Sequence, residues 1–184
     1  MTGGVGARMN PRIKSKMKGG DLRSIGNLGD AVTSVSRNPE LFDELFAGML
    51  DEDRLVRMRA ADAVEKATRG HPEWPQRWKR PLLGQVASYE DKELRWHVAQ
   101  LLPRLKLTSA GRDPALQILT GYLNDASSIV RTFSMQALAD LAAEDEQLRE
   151  EARPIIERLI RTGTPAMKSR GRKLLKRLDP SRST

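Results

Sequence analysis

Two histidines, His71 and His97, are the only imidazoles in a chain of 184 residues that has no cysteine. Neither has a partner at metal-ligand spacing, and without thiolates no structural zinc site, disulfide or cysteine nucleophile can be assembled. The carboxylate clusters Asp51-Glu52-Asp53 and Glu150-Glu151 fall on segments that read as a turn and a helix surface, where solvated charge is the plain interpretation. The glycines at 3–6 and Gly19-Gly20 precede no strand–turn–helix pattern, and no Gly-Lys-Ser/Thr follows them, so a phosphate-cradling loop is not expected. No nucleophile-elbow, HExxH or EF-hand pattern occurs. The expectation is therefore a noncatalytic chain with no metal and no cofactor.

What remains is charge, and its location is informative. The net charge is +8. Residues 1–20 carry Arg8, Arg12, Lys14, Lys16 and Lys18 with no acid, and residues 163–184 carry seven cations against Asp179 alone. The body between the two ends is thus slightly acidic. Basic ends of this kind are most often solvated, and in some proteins serve as arms for nucleic acid. No apolar run approaches the roughly 20 residues that cross a bilayer, and no apolar stretch follows the basic N-terminal residues. A cytoplasmic protein without membrane contact is expected. Apolar residues make up 39% and aromatics 4%, a balance that suits helices packed through small and aliphatic side chains.

The elements that would position any site are written as a repeat. The segments 55–67, 93–105, 129–141 and 166–178 align without gaps, so that Val56-Arg57 corresponds to Leu94-Arg95, Val130-Arg131 and Met167-Lys168. The steps between them are 38, 36 and 37 residues. Within each row the apolar or small residues fall at i, i+4, i+7, i+8 and i+11, as in Val56, Ala60, Ala63, Val64 and Ala67, which is the stripe of an amphipathic helix. A second amphipathic run precedes each row, at 39–50, 75–87, 114–124 and 146–160. Each unit is helix A, a short turn and helix B, with the turns acidic in all but the last. Asn38-Pro39, Asp113-Pro114 and Thr164-Pro165 read as N-caps before a first-turn proline, and Gly163 as a helix stop. Pro154 should kink its helix, and Pro81 and Pro103 should bend or shorten the second unit.

The turn acids Asp51, Asp53, Asp91 and Asp125, each followed by an aliphatic residue and arginine and then by small and aliphatic helix positions, resemble HEAT repeats. The likeness covers residues 38–178, preceded by a capping helix over 21–37 and a disordered segment over 1–20, and followed by a tail over 179–184. It implies an all-α fold, a right-handed α-α superhelix of about four helix pairs. The core would include Val56, Ala60, Val64, Leu94, Val98, Leu102, Val130, Leu138, Leu174 and Leu175. It also implies that Arg57, Arg95 and Arg131 bridge to neighbouring turn acids. The fourth unit departs from the pattern, with Lys168 for arginine, Gly171 at a small-residue position and no acid in its turn.

The resemblance further implies that B helices line the inner, concave face, where such arrays hold partners. Positions on the flank of the B stripe place Trp96, His97 and Phe133 in adjacent repeats, with cations toward both ends. The expected site has Trp96 as anchor, His97, Gln100 and Phe133 beside it, Arg59, Arg104 and Arg170 as polar rim, and Lys173 and Arg177 beyond. The competing interpretation packs His97 and Phe133 between repeats and Trp96 against a loop. A protein or peptide partner held by a monomer is the first expectation, and nucleic acid on the basic face and termini the second. A HEAT-like glycosylase for alkylated bases, casting Trp96, Phe133 and Asp140 in catalytic parts, is a remote third that rests on fold alone.

Overall fold

The computed structural model describes residues 28–179, and the side chains there apart from those of residues 28–31 and 109–111. The basic segment over 1–20, the start of the capping helix over 21–27 and the tail beyond Asp179 lie outside the described residues. Among the described residues nine helical segments follow one another without a strand. They divide into two compact units between Val98 and Ala99.

The first unit begins with α1 (Leu28–Arg37). The run α2 follows in three short pieces, Pro39–Leu41, Phe42–Ala47 and Gly48–Leu50, the outer two wound as 3₁₀ turns. Next comes the regular helix α3 (Arg54–Ala67), on which both α1 and α2 pack. Asp53 starts α3 by accepting the Leu55 N–H at 2.8 Å, satisfying one of the donors a helix start leaves open. The stripe Val56, Ala60, Ala63, Val64 and Ala67 is buried throughout. The run α4 is irregular: a 3₁₀ piece Trp74–Trp78, one turn Lys79–Pro81, then a π turn Leu82–Val86. Pro81 has no N–H to give, so the regular i to i−4 ladder is interrupted where the winding changes. Helix α5 (Lys92–Leu101) ends in the 3₁₀ turn Leu102–Arg104 around Pro103. The second repeat is thus interrupted at Pro81 and Pro103, as its prolines predict, while α2 of the first repeat is also wound in short pieces.

The second unit opens with the end of α5. It then contains α6 (Ser109–Tyr122), α7 (Ser128–Ala142), α8 (Glu146–Thr162) and α9 (Pro165–Arg177). Successive helices pack on each other, and α9 also packs on α7. Thr164 caps α9 by accepting the Met167 N–H, with Pro165 as its first residue. Asp145 does the same for α8 through Leu148. At Gly163, where α8 stops, a Cβ would lie 2.5 Å from the Leu159 carbonyl oxygen, so only glycine makes this close turn.

Several expectations need correction. Helix α6 starts at Ser109, with Arg112 N–H donating to the Thr108 carbonyl, so Asp113 is no cap and Pro114 lies inside the helix. Being in the second turn, it removes only one intrahelical donor. Asn38 holds the cap position without a side-chain cap bond. Pro154 lies inside α8, as expected, and the helix continues through it. Of the expected core, Leu175 is only half-buried, while the other nine are buried.

Within the first unit the arginine ladder forms its Arg57 rung. Arg57 donates through Nε and Nη2 to Asp91 Oδ2, at 2.9 and 2.6 Å, and through Nη1 to the carbonyls of Asp51 and Glu52. Both side chains of the pair are 12% exposed. Arg95 Nε donates to the Tyr89 carbonyl of its own repeat, and the buried Nε of Arg131 has no hydrogen-bond partner. The turn that follows Arg131's repeat, Gly163-Thr164, offers no acid.

Two outcomes follow for stability. Arg57→Ala should cost about 2–3 kcal/mol, because it removes both donors from Asp91 Oδ2 and a donor from two carbonyls and leaves that largely buried carboxylate only the half-exposed Arg54 on Oδ1, whereas Arg54 itself should contribute under about 1 kcal/mol. Urea titrations of the two variants check the order, and equal costs would refute it. Gly171→Ala should destabilise by about 1–2 kcal/mol even though alanine is the better helix former. A Cβ there would lie 2.6 Å from Ile160 Cγ1, which the β-branched side chain holds stiffly in α8. A melting temperature at or above wild type would show that α8 yields.

Candidate functional site

Helix periodicity brings three short stripes together in the second unit. Phe133, Gln136 and Asp140 stand at i, i+3 and i+7 on α7, and Arg170, Lys173 and Arg177 stand at the same spacing on α9. Gln100 and Arg104 stand at i and i+4 at the end of α5. Between them lies an open groove of about 320 Å³, lined by Gln100, Pro103, Arg104, Phe133, Gln136, Asp140 and Arg170 with Ala99 and Ala137 at its floor.

A chain of polar contacts crosses this groove. Arg170 Nη1 donates to Gln136 Oε1 at 3.0 Å, and Gln136 Nε2 donates to Asp140 Oδ1 at 3.0 Å. Arg177 Nη2 donates to the same Asp140 oxygen at 2.6 Å. The Arg170 guanidinium lies 6.0 Å from the Phe133 ring centroid, within cation–π range. Helix α9 carries six cations and no carboxylate along Pro165–Arg177, and its buried face is Met167, Gly171 and Leu174. On the helical wheel this leaves two basic flanks: Arg170, Lys173 and Arg177 toward α7, and Lys168, Arg172 and Lys176 on the other side.

Of the expected site, Gln100, Arg104, Phe133 and Arg170 share this groove, Arg177 joins through Asp140, and Lys173 stands exposed on the same flank. Two residues are corrected. Arg59 is 1% and His97 4% exposed, so neither belongs to an accessible surface. Both occupy the i+3 position of the B helix, at the edge of the apolar stripe, where a few degrees of rotation decide between core and rim. Trp96, in the first unit, is half-buried with its ring 4.3 Å from the His97 ring.

The composition of the expected site left out Gln136 and Asp140, although both fall on the same helical stripe as Phe133. It also passed over an aromatic cluster in the first unit. There Trp78 stacks on Phe46 at 4.5 Å, and Trp74 lies between Phe42 and a stacked His71. The i, i+4 spacing of Phe42 with Phe46, and of Trp74 with Trp78, was the available signal. Hollows of about 510 and 800 Å³ adjoin this cluster, and Asp43, which lines both, is engaged by Arg77 at 2.5 Å and by Trp78 Nε1 at 2.7 Å. Among the described residues no group of three or more His, Asp or Glu side chains could hold a metal ion, and no helix is long and apolar enough to cross a membrane.

A family model for HEAT repeats matches residues 42–139, just over half of the chain. The chain belongs to the HEAT-repeat family. Its fold class is accordingly the all-α solenoid type that the repeat spacing implies, and no curated protein matches the sequence. HEAT repeats are generally scaffolds for protein interaction and are typically noncatalytic.

The buried histidine of this HEAT chain has a pH consequence. Burial pushes the His97 pKa down from 6.5 to about 4, with Asp62 and Glu65 opposing the shift; the nearest carboxylate oxygen, Asp62 Oδ1, is 3.9 Å away. The unfolded chain takes up this proton near 6.5 and the folded chain only near 4. Acid in that window therefore favours unfolding, and the stability present above pH 6.5 is lost as pH falls to about 4, by at most roughly 3 kcal/mol. The drop in unfolding free energy between pH 7 and pH 4.5, measured in urea, should be smaller in His97→Gln than in wild type. Parallel drops would contradict the assignment.

Proposed function

We propose that this HEAT-repeat chain is a noncatalytic binding module that holds a protein or peptide partner along the groove formed by the end of α5, α7 and α9. The observation that carries this reading is the convergence in one groove of a half-buried phenylalanine, two amides and two arginines, Phe133 with Gln100, Gln136, Arg104 and Arg170. An apolar ring rimmed by donors and acceptors suits a peptide, whose side chains need burial and whose backbone needs hydrogen bonds. Arginine and aromatic residues are also the types that most often dominate binding energy. The scaffold role typical of the family supports the same reading. Asp140, cast as a catalytic acid in the glycosylase alternative, is engaged by Arg177 and Gln136.

A second reading has its own observation. The six cations of α9, unopposed by any acid within the helix, suit phosphate contacts of a nucleic-acid accessory factor. Such binding would be sequence-tolerant and would weaken steeply with salt.

The chain immobilised through its N-terminus and exposed to cell extract, with and without nuclease, separates the two. Capture that survives nuclease and falls at least about tenfold in Phe133→Ala, with helical circular dichroism unchanged, is the expected result. Capture abolished by nuclease moves the function to nucleic acid. Capture indifferent to Phe133→Ala places the partner on another surface.

A further inference from the structure

Asp140 is the one carboxylate among the residues that line the groove, and it stands among cations. Its Oδ1 receives Arg177 and Gln136, and Gln136 in turn receives Arg170. The chain's own acid thus occupies the place at which an external carboxylate would meet this basic flank. The Arg177–Asp140 pair is 46% and 35% exposed, and an ion pair so open to water contributes little and exchanges readily. Lys173, between Arg170 and Arg177 on the same flank, is exposed and has no ion pair among the described residues.

Taking the groove as the docking site proposed above, we infer that its partner is an acidic peptide segment and that Asp140 is an internal competitor for the same cations. A partner carboxylate replaces Asp140 on Arg177 while a neighbouring one reaches Lys173. Arginine favours this exchange because its planar fork accepts a carboxylate through two parallel N–H donors, and the partner supplies the second oxygen in a free orientation. Gln100 and Gln136 are suited to peptide groups, and the Phe133 ring to an aliphatic stem. A duplex fits less well, since its phosphates ride on a wide, rigid helix that cannot enter a groove of about 320 Å³ as a single extended chain can. The internal acid then acts as a filter. It weakens every anion somewhat, and leaves bound those with enough carboxylates to offset it.

The test uses a fluorescein-labelled decaglutamate peptide and, as a second arm, a labelled duplex of about 20 base pairs, followed by anisotropy at low and moderate salt. Asp140→Asn removes a unit charge a few ångströms from the ligand and should tighten decaglutamate binding by about three- to tenfold at low salt, less at moderate salt. Asp140→Ala should show the same sign, which guards against an effect peculiar to the amide. Arg170→Gln should weaken binding by about tenfold, whereas Arg172→Gln on the opposite flank should change it less than about twofold. Circular dichroism of each variant confirms that the helices persist. Unchanged or weaker binding in both Asp140 variants overturns the competitor role. Equal losses in Arg170→Gln and Arg172→Gln overturn the groove in favour of diffuse attraction, and tighter binding of the duplex than of decaglutamate overturns the acidic peptide. If Phe133→Ala still abolishes capture of the natural partner while Asp140→Asn brings no gain, the docking face stands and only its acidic chemistry falls.

Discussion

No helix pair of this chain can bury its own apolar stripe, and everything else follows from that constraint. A B helix such as α7 buries Val130, Ser134, Met135, Ala137, Leu138, Ala139 and Ala142, a face too wide for a single partner helix. In the second unit α6, α8 and α9 all pack against it. Close approach is achieved with small residues, since side-chain bulk sets the distance between helix axes. Gly171, packed within 4 Å of Ile160 and Met135 by any Cβ it might carry, is the extreme case. In the first unit Ala60, Ala61 and Ala63 serve the same purpose on α3.

Polar groups fix register where apolar contacts cannot. The turn acids act first on their own backbone: Asp51 accepts the Asp53 N–H, Asp53 caps α3, and Asp125 accepts the Ser127 N–H. Asp91 also receives Arg57 from the preceding B helix, with Tyr89 beneath the same guanidinium at 4.6 Å. One arginine thus ties two turns, and it does so at low exposure, where a charged hydrogen bond is worth more than on an open surface. The final turn, Gly163-Thr164, has given up the acid and uses a hydroxyl cap and a proline instead. That substitution leaves Arg131 without the acid that its counterpart Arg57 finds.

The groove has the same origin as the core. Residues three, six and ten places after Val130 on α7 and after Met167 on α9 stand just outside the buried stripe, so stacking the helices sets two edge rows side by side. The rows differ in character: Phe133, Gln136 and Asp140 against Arg170, Lys173 and Arg177. Their contacts cross-link α7 and α9 while leaving most of the positive charge unopposed. The opposite flank of α9 is equally basic but has no phenylalanine or amide facing it from α7.

Although the caps it assigned to Asn38 and Asp113 did not form, the sequence by itself determined the helix pairs, their period, the Thr164 cap of α9 and nearly all of the core. These depend on periodicity and on local hydrogen bonding, both readable from residue spacing. It also placed Gln100, Arg104, Phe133 and Arg170 along one edge of the B helices, and these four line the same groove. Only the tertiary structure decided whether the edge position three places after the shared register point, filled by Arg59, His97, Phe133 and Arg170 in turn, is buried or open. The first two are buried and the last two half-exposed. A wheel places all four about equally far from the stripe's centre, so the difference comes from which neighbouring helices cover that edge. Asp140 was settled in the same way. Its helical address was legible, but its pairing with Arg177, 37 residues further on, required α9 to be laid against α7.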